Sequence, residues 1–377
     1  MRNPREVFAL LGAQPFKAAA WFKPVRIASV VGARPQFVKA APVSRAIRRH
    51  NEEVLIHTGQ HYDEAMSDVF FDVLEIPKPD YNLEVGSGTH AKQTGEMLIR
   101  LEEVLERVRP DIVLVYGDTN STLAAALAAA KLHLPVGHVE AGLRSFNRKM
   151  PEEVNRIIAD HLATLLFCPT QTAVENLAKE GIQRGVHLVG DVMYDVALVS
   201  AQEARKRDIG KRLGLTPKGY VLATVHRPAN VDDRATLESI LRAFRECGET
   251  VVLPAHPRTR NRMREFGLDA GLPANLRVID PVDYLDFLSL LIQSKKVATD
   301  SGGVQKEAYF FGIPCITLRD ETEWIETMED GWNAVVGTGT EEVVHAIRHF
   351  NPEGTKSKSF GDGHATDRIA ELLESLP

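Results

Sequence analysis

Short apolar runs alternating with amphipathic segments, twice over along the chain, constrain this sequence more than any other feature. Val25 to Val31 reads as a buried strand, followed by the turn Gly32-Ala33-Arg34-Pro35 and a helical stretch to about Arg49. Further strands are expected at Glu53 to Thr58, Asp111 to Tyr116, Pro135 to Val139 and Leu165 to Cys168, with an alanine-rich helix from about Ser121 to Leu132. After a helical stretch, Val192 to Leu213, and the polar break Thr216-Pro217-Lys218-Gly219, the pattern restarts. Its strands are expected at Tyr220 to Val225, Thr250 to Pro254, Leu276 to Ile279, Lys296 to Thr299 and Pro314 to Leu318. Apolar strands separated by helices predict parallel sheets covered on both faces. The fold class is therefore α/β, with two doubly wound, Rossmann-like domains facing a central cleft.

The length of 377 residues fits two cores better than one. The boundaries read as an N-terminal extension at 1–24, a first domain at 25–190, a second at 191–360 and a terminal segment at 361–377. Ligands of such sheets bind beyond the carboxyl ends of the strands, so candidate residues are sought just after them.

Composition removes several function classes. A formal net charge of −6 supplies no field for a nucleic-acid backbone. No apolar stretch approaches the roughly 20 residues that span a bilayer, so no membrane partner is expected. Cys168, Cys247 and Cys315 are odd in number, far apart and set beside apolar runs, which suits buried thiols in a reducing, cytoplasmic setting. His345 and His349 have a ligand-pair spacing but no third ligand of suitable type nearby, and His133 and His138 flank Pro135, so no metal site is expected.

In the second half, the strand ending at Thr299 runs into Asp300-Ser301-Gly302-Gly303, where a helix begins. Glycines there let the backbone approach a ligand, and the exposed N–H groups favour an anion such as a diphosphate. Glu307, about one helical turn later, can accept hydrogen bonds from a ribose diol; a plain tight turn with a solvated Glu307 is the alternative. No Lys-Ser or Lys-Thr follows the glycines, which argues against a nucleoside-triphosphate loop. Gly32-Ala33-Arg34-Pro35-Gln36, with Lys39 one turn on, lacks the three-glycine spacing of a dinucleotide loop. His226-Arg227-Pro228 follows the strand ending at Val225 and can reach a phosphate.

Three acids sit where the first sheet opens. Asp118 follows Val-Tyr-Gly, where it can also cap the next helix. Glu152 stands near the start of a helix opened by Pro151, a place that favours acids electrostatically, with Arg156 one turn later on the same face. Glu140 ends an apolar strand beside Ala141-Gly142, where capping does not account for it. Burial there is expected to raise its pKa.

Taken in order, Gly32-Ala-Arg-Pro-Gln, Tyr116-Gly-Asp-Thr, Gly137-His-Val-Glu-Ala-Gly-Leu-Arg144, Pro151-Glu-Glu-Val-Asn-Arg156, His226-Arg227 and Asp300-Ser-Gly-Gly resemble the non-hydrolysing UDP-N-acetylglucosamine 2-epimerases. The resemblance runs from about Val25 to the C-terminus. It implies a glycosyltransferase-B-like architecture, a homodimer, and a C-terminal helix, about Gly363 to Ser375, that crosses back to the first domain. It implies Asp118, Glu140, Glu152, His226 and Lys39 as catalytic residues. By the same resemblance Arg34, Ser301, Gly302, Gly303 and Glu307 hold UDP, and Arg156 supports the sugar and the carboxylates. Gln60-His61 falls where bacterial members carry an effector site, although the following Tyr62-Asp63 departs from that pattern. Gln36 replaces a common Glu, and Glu323-Trp324-Ile325-Glu326 replaces a frequent Glu-Arg-Pro-Glu.

The activity so implied is interconversion of UDP-N-acetylglucosamine and UDP-N-acetylmannosamine through a 2-acetamidoglucal, with a UDP-sugar as partner and no cofactor. The product would serve polysaccharide biosynthesis. Alternatives are 2-epimerisation of UDP-2,3-diacetamido-glucuronic acid, a hydrolysing epimerase, a retaining glycosyltransferase of the same architecture, and a non-catalytic nucleotide-sugar sensor.

Overall fold

The computed structural model describes residues 24–60 and 78–375, apart from the side chain of Arg34. The extension proposed at 1–24, its last residue aside, and His61 lie outside the described residues.

Two parallel sheets carry the chain. The first holds β1 (Arg26–Val31), β2 (Glu52–His57), β3 (Tyr81–Asn82), β4 (Ile112–Tyr116), β5 (Val136–Val139), β6 (Leu165–Cys168) and β7 (Val186–Leu188), in the order β3-β2-β1-β4-β5-β6-β7. The second holds β8 (Val221–Thr224), β9 (Val251–Pro254), β10 (Leu276–Ile279), β11 (Lys296–Thr299), β12 (Cys315–Thr317) and β13 (Asn333–Val335), in the order β10-β9-β8-β11-β12-β13. All the pairings are parallel. The order in which strands are added reverses between β1 and β4 in one sheet and between β8 and β11 in the other. A crevice opens at each reversal. The loops leaving these four strands begin at Gly32, Gly117, Val225 and Asp300, so both crevices fall on segments singled out above.

The helices of the first half are α1 (Arg34–Ile47), α2 (His90–Val108), α3 (Asn120–Lys131), α4 (Pro151–Leu162), α5 (Gln171–Lys179) and α6 (Val192–Ala204). Those of the second are α7 (Ile209–Arg212), α8 (Pro228–Val231), α9 (Arg234–Glu246), α10 (Pro257–Glu265), α11 (Tyr284–Gln293), α12 (Gly302–Phe310), α13 (Ile325–Glu329) and α14 (Thr340–His349), with α15 (Ala365–Glu374) closing the chain. Each half uses the expected logic. In α9, Asp233 accepts the Thr236 N–H at 2.8 Å to start the helix, and Leu237, Ile240, Leu241 and Phe244 form the buried stripe. None of the described helices is long and apolar enough to cross a membrane. Cys168, Cys247 and Cys315 are buried free thiols.

Helix α3 is thin because its buried face is built from Ala124, Ala125, Ala128 and Ala129. Helix α15 lies against α1 and α6, where Ile369 and Leu373 share a core with Val43, Ile47, Val192 and Val196. Asp195 of α6 anchors its first turn by accepting from the Thr366 N–H at 2.8 Å and its hydroxyl at 2.9 Å. The terminal helix thus packs on the first sheet's side of the molecule.

Close approach of backbones behind the first crevice depends on Gly142, at φ +81°, where an added Cβ would collide with the Ala173 carbonyl. Gly181 has the same φ of +81° but nothing within 4 Å of such a Cβ. Replacing Gly181 with Ala should therefore cost only the left-handed backbone term, about 1–2 kcal/mol. Gly142→Ala should cost about 1–3 kcal/mol more through overpacking. Urea unfolding of the two variants checks this; equal losses would contradict the contact.

Candidate active site

Strand β4 delivers Asp118 through Gly117, whose φ of +61° turns the chain sharply at the sheet edge. Arg156 Nη2 donates to Asp118 Oδ2 in a close ion pair, and Asn155 Nδ2 donates to the Asp118 carbonyl at 2.9 Å. The Pro151-Glu-Glu-Val-Asn-Arg156 segment is thereby explained almost residue by residue. Pro151 opens α4, Asn155 and Arg156 clamp the Asp118 loop, and Glu153 is buried. Glu153 accepts the backbone N–H groups of Ser145 and Phe146 at 2.9 Å each and Arg156 Nη1 at 3.0 Å. Burial opposes its charge, but these bonds and Arg156 hold its pKa below the usual value. Glu152 projects from the same turn into solvent.

Glu140 sits at φ +74°, a left-handed conformation that costs a non-glycine residue energy and needs outside support. The support is visible. The N–H groups of Glu140 and Ala141 both donate to the Phe167 carbonyl, at 3.1 and 3.2 Å. Behind the loop, His138 Nε2 donates to the Gly117 carbonyl at 2.7 Å, and its Nδ1 lies 2.7 Å from Asp160 Oδ1. Asp160 Oδ2 accepts the Gly142 N–H at 3.1 Å and Arg144 Nη1 at 2.6 Å. One buried network therefore ties the Asp118 loop to the Glu140 loop.

In front, each oxygen of Glu140 faces an ammonium. Lys39 of α1 donates a short hydrogen bond to Oε2, and Lys306 Nζ of α12 lies 3.7 Å from Oε1. The expectation that burial would raise the Glu140 pKa is corrected here. Burial does push it upward, but Lys39 and Lys306 outweigh that and hold it down to about 2. Lys306 is itself held by Asp191 at 2.7 Å and lies 4.1 Å from the centre of the Trp324 ring. Lys39, Glu140, Pro169, Gly190 and Asp191 line a small pocket at this point.

The second sheet contributes the facing loops. Asp300, wholly buried, accepts the N–H groups of His226 and Arg227 at 2.9 Å each and Asn230 Nδ2 at 3.1 Å. Asp300 thus holds the His226 loop, and His226 Nδ1 lies 3.2 Å from it. Ser301 caps α12 by accepting the Val304 N–H at 3.4 Å. At Gly302 a Cβ would strike Glu323 Oε1 and lie 3.2 Å from Trp324 Nε1, whereas at Gly303 it would meet only Ser301 Oγ, at 3.9 Å. The cap takes the Val304 N–H, so the N–H groups of Gly302 and Gly303 are the ones this helix start can offer to an anion. Glu307 is buried, and burial raises its pKa to about 7, with the Tyr284 hydroxyl and Lys306 working in the opposite direction.

The remaining candidates have other surroundings. Gln60 is buried, with Oε1 accepting from the Ser121 N–H at 3.2 Å and its hydroxyl at 2.7 Å. Gln36 uses both ends of its amide: Oε1 accepts from Gly32 N at 2.8 Å, and Nε2 donates to the Tyr116 carbonyl at 2.8 Å. A carboxylate could not make that donation. Sequence reasoning missed Lys306, Asp191, Asp160 and Tyr284. Lys306 was within reach, since it lies between the glycine turn and Glu307 and a lysine there is charged. Asp191 and Asp160 offered no local signal.

The chain matches the family model for UDP-N-acetylglucosamine 2-epimerase over residues 45–374. It is 52% identical to the UDP-N-acetylglucosamine 2-epimerase homolog of Methanococcus maripaludis, over 93% of this chain and all of that one. It is 48% identical to the UDP-2,3-diacetamido-2,3-dideoxy-D-glucuronate 2-epimerase of Pseudomonas aeruginosa, with the same coverages of 93% and 100%. Among solved structures it is similar to the Methanocaldococcus jannaschii UDP-GlcNAc 2-epimerase in complex with UDP-GlcNAc and UDP. That likeness has a TM-score of 0.80 and 42% identity, covering 92% of this chain and 99% of that one. With crevices, carboxylates and glycine turn arranged as described, this chain belongs to the UDP-N-acetylglucosamine 2-epimerase family.

Proposed function

We propose that this chain is a non-hydrolysing nucleotide-sugar 2-epimerase that interconverts UDP-N-acetylglucosamine and UDP-N-acetylmannosamine. The observation that carries the reading is the pairing of Asp118 with Arg156 and of Glu140 with two lysines, at adjacent strand ends facing an anion-ready helix start. The family membership narrows the chemistry that such an arrangement serves.

The substrate dictates the route. No carbonyl adjoins C2, so a carbanion there has nowhere to place its charge. Elimination avoids the problem: a base takes the C2 proton, a C1–C2 double bond forms, and the C1–O bond breaks with its electrons leaving on UDP. The return adds UDP oxygen to C1 and a proton to the opposite face of C2. The sequence is redox-neutral and needs no hydride carrier. Asp118, Glu140 and Glu152 are the proposed acid/base groups, and Lys39 and His226 are the further proposed catalytic residues. Ser301, Gly302, Gly303 and Arg34 are the proposed diphosphate cradle, Glu307 the ribose acceptor, and Arg156 the support for sugar and carboxylates.

An entering diphosphate competes with Glu140 for its lysines. Drawing one of them away raises the carboxylate's affinity for a proton, so substrate binding itself prepares the base. Closure of the two lobes would keep the glycal and UDP together. The family resemblance also implies a homodimer, a cytoplasmic setting and a product used in polysaccharide biosynthesis, and these go with the proposal. Gln60 and His61 remain the proposed effector position.

A second reading is favoured by one observation, the 48% identity to the Pseudomonas aeruginosa diacetamido-glucuronate epimerase. Incubation with each UDP-sugar in heavy water decides between them. The proposal expects deuterium at C2 of UDP-N-acetylglucosamine with the nucleotide sugar otherwise intact. Exchange only in the uronic acid would move the assignment to that substrate, and none in either would reject the epimerase.

Glu140→Gln and Asp118→Asn should each lower turnover about a hundredfold or more, the scale of a lost acid/base group, while UDP still binds. Steady-state rates with calorimetric UDP binding check this; near-normal turnover in both variants would remove them from the mechanism. Glu307 is protonated below about pH 7 in the free protein, whereas a ribose diol needs its carboxylate. UDP affinity should therefore fall as pH drops below that value, approaching tenfold per unit, and level off above it. Calorimetry between pH 5.5 and 8.5 tests the slope; a flat profile would contradict the ribose role.

A further inference from the structure

Lys306 is a buried lysine on the helix of the proposed UDP cradle, yet the two acids that pair with it, Asp191 and Glu140, follow strands of the other sheet. Its ammonium lies 2.7 Å from Asp191, 3.7 Å from Glu140 and 4.1 Å from the Trp324 ring centre. Its side chain is 6% exposed. Such a charge is tolerated only when paired, and here the pairing reaches from α12, beside Glu307, to the end of β5. The two lysines on Glu140 are not equivalent. Lys306 is anchored a second time by Asp191, which also caps α6 through the Met193 N–H at 2.8 Å, and a third time by the aromatic face. Lys39 comes from the loop-proximal turn of α1 and shares its hydrogen bond with Glu140.

We propose that Lys306 is a positioning residue for Glu140: fixed on the UDP-binding helix, it holds Oε1 in place while Lys39 is the cation free to answer the diphosphate. The proposal rests on the epimerase reading given above. It makes α12 a single rigid link, with its glycine turn at the diphosphate, Glu307 at the ribose and Lys306 at the base. The charged groups around Glu140 are Lys39 on α1, Arg156 on α4 and Lys306 on α12, with Asp191 and Glu307 next to Lys306. Removing Lys306 leaves Glu140 with fewer cations, so its carboxylate must take up a proton at higher pH than before.

The test compares wild type with Lys306→Met and with the double variant Lys306→Met/Asp191→Asn, which avoids stranding a buried aspartate and keeps the α6 cap. Two readouts are taken on each: the pH profile of kcat, and a carbon-13 titration of the Glu140 side-chain carboxyl without ligand. Expected are a kcat at least tenfold lower at neutral pH, KM within threefold, an acid limb moved upward by about one unit or more, and a matching upward move of the carboxyl titration. A folded double variant with unmoved titration and unmoved acid limb overturns the proposal, even if its melting point or kcat has dropped. The titration requires no turnover, so failure of wild type to exchange C2 hydrogen would reject the epimerase reading separately.

Discussion

The carboxylate of Glu140 is shared between ammonium groups on helices that follow strands of two different sheets, and the rest of the molecule is arranged to make that meeting possible. Strand β5 must end in a left-handed turn to present the acid, which requires the Phe167 carbonyl, the His138–Asp160 pair and the crowding at Gly142 behind it. Helix α1 must start at the switch point of the first sheet so that Lys39 reaches inward. Helix α12 must start at the switch point of the second so that its N-terminus, Lys306 and Glu307 are delivered together. Two doubly wound lobes that meet at Lys306 and Glu140 satisfy all three demands at once.

Buried ion clusters of this kind are poor sources of stability, because desolvation consumes much of the Coulombic gain. Their value here is directional. An acid/base group must be held close to its productive position, and a carboxylate hydrogen-bonded at one oxygen and ion-paired at the other has little freedom to rotate. In the proposed mechanism the same pairing keeps it a weak base until a competing anion appears. Under the proposed mechanism, the second lobe, which holds most of the proposed diphosphate cradle, also acts on the base of the first.

Much of this could be read from the chain before any coordinates. The interior strands were legible because both of their faces are buried and their residues form unbroken apolar runs, as in Ile112–Tyr116. The edge strands Tyr81–Asn82, Val186–Leu188 and Asn333–Val335 were not, since two or three residues carry no periodicity. Glu140 stood out because a carboxylate closing an apolar strand lacks a local excuse. The direction of its pKa was misread because Lys39 is 101 residues away and Lys306 belongs to the other sheet. The Lys306–Asp191 pair, 115 residues apart, left no mark that spacing could reveal. Asp300, by contrast, was read as part of a phosphate turn, while its side chain organises the His226 loop.

At the centre of the account, UDP parts from C1 and is retained by the glycine-turn lobe while the carboxylates of the other lobe move the C2 hydrogen. Positional isotope exchange examines that step directly. UDP-N-acetylglucosamine carrying oxygen-18 in the C1–O–P bridge is incubated with enzyme and followed by phosphorus NMR. Bond rupture with retention predicts that the label migrates to non-bridging positions at least as fast as deuterium enters C2. Deuterium entry with the bridge label unmoved would contradict the account.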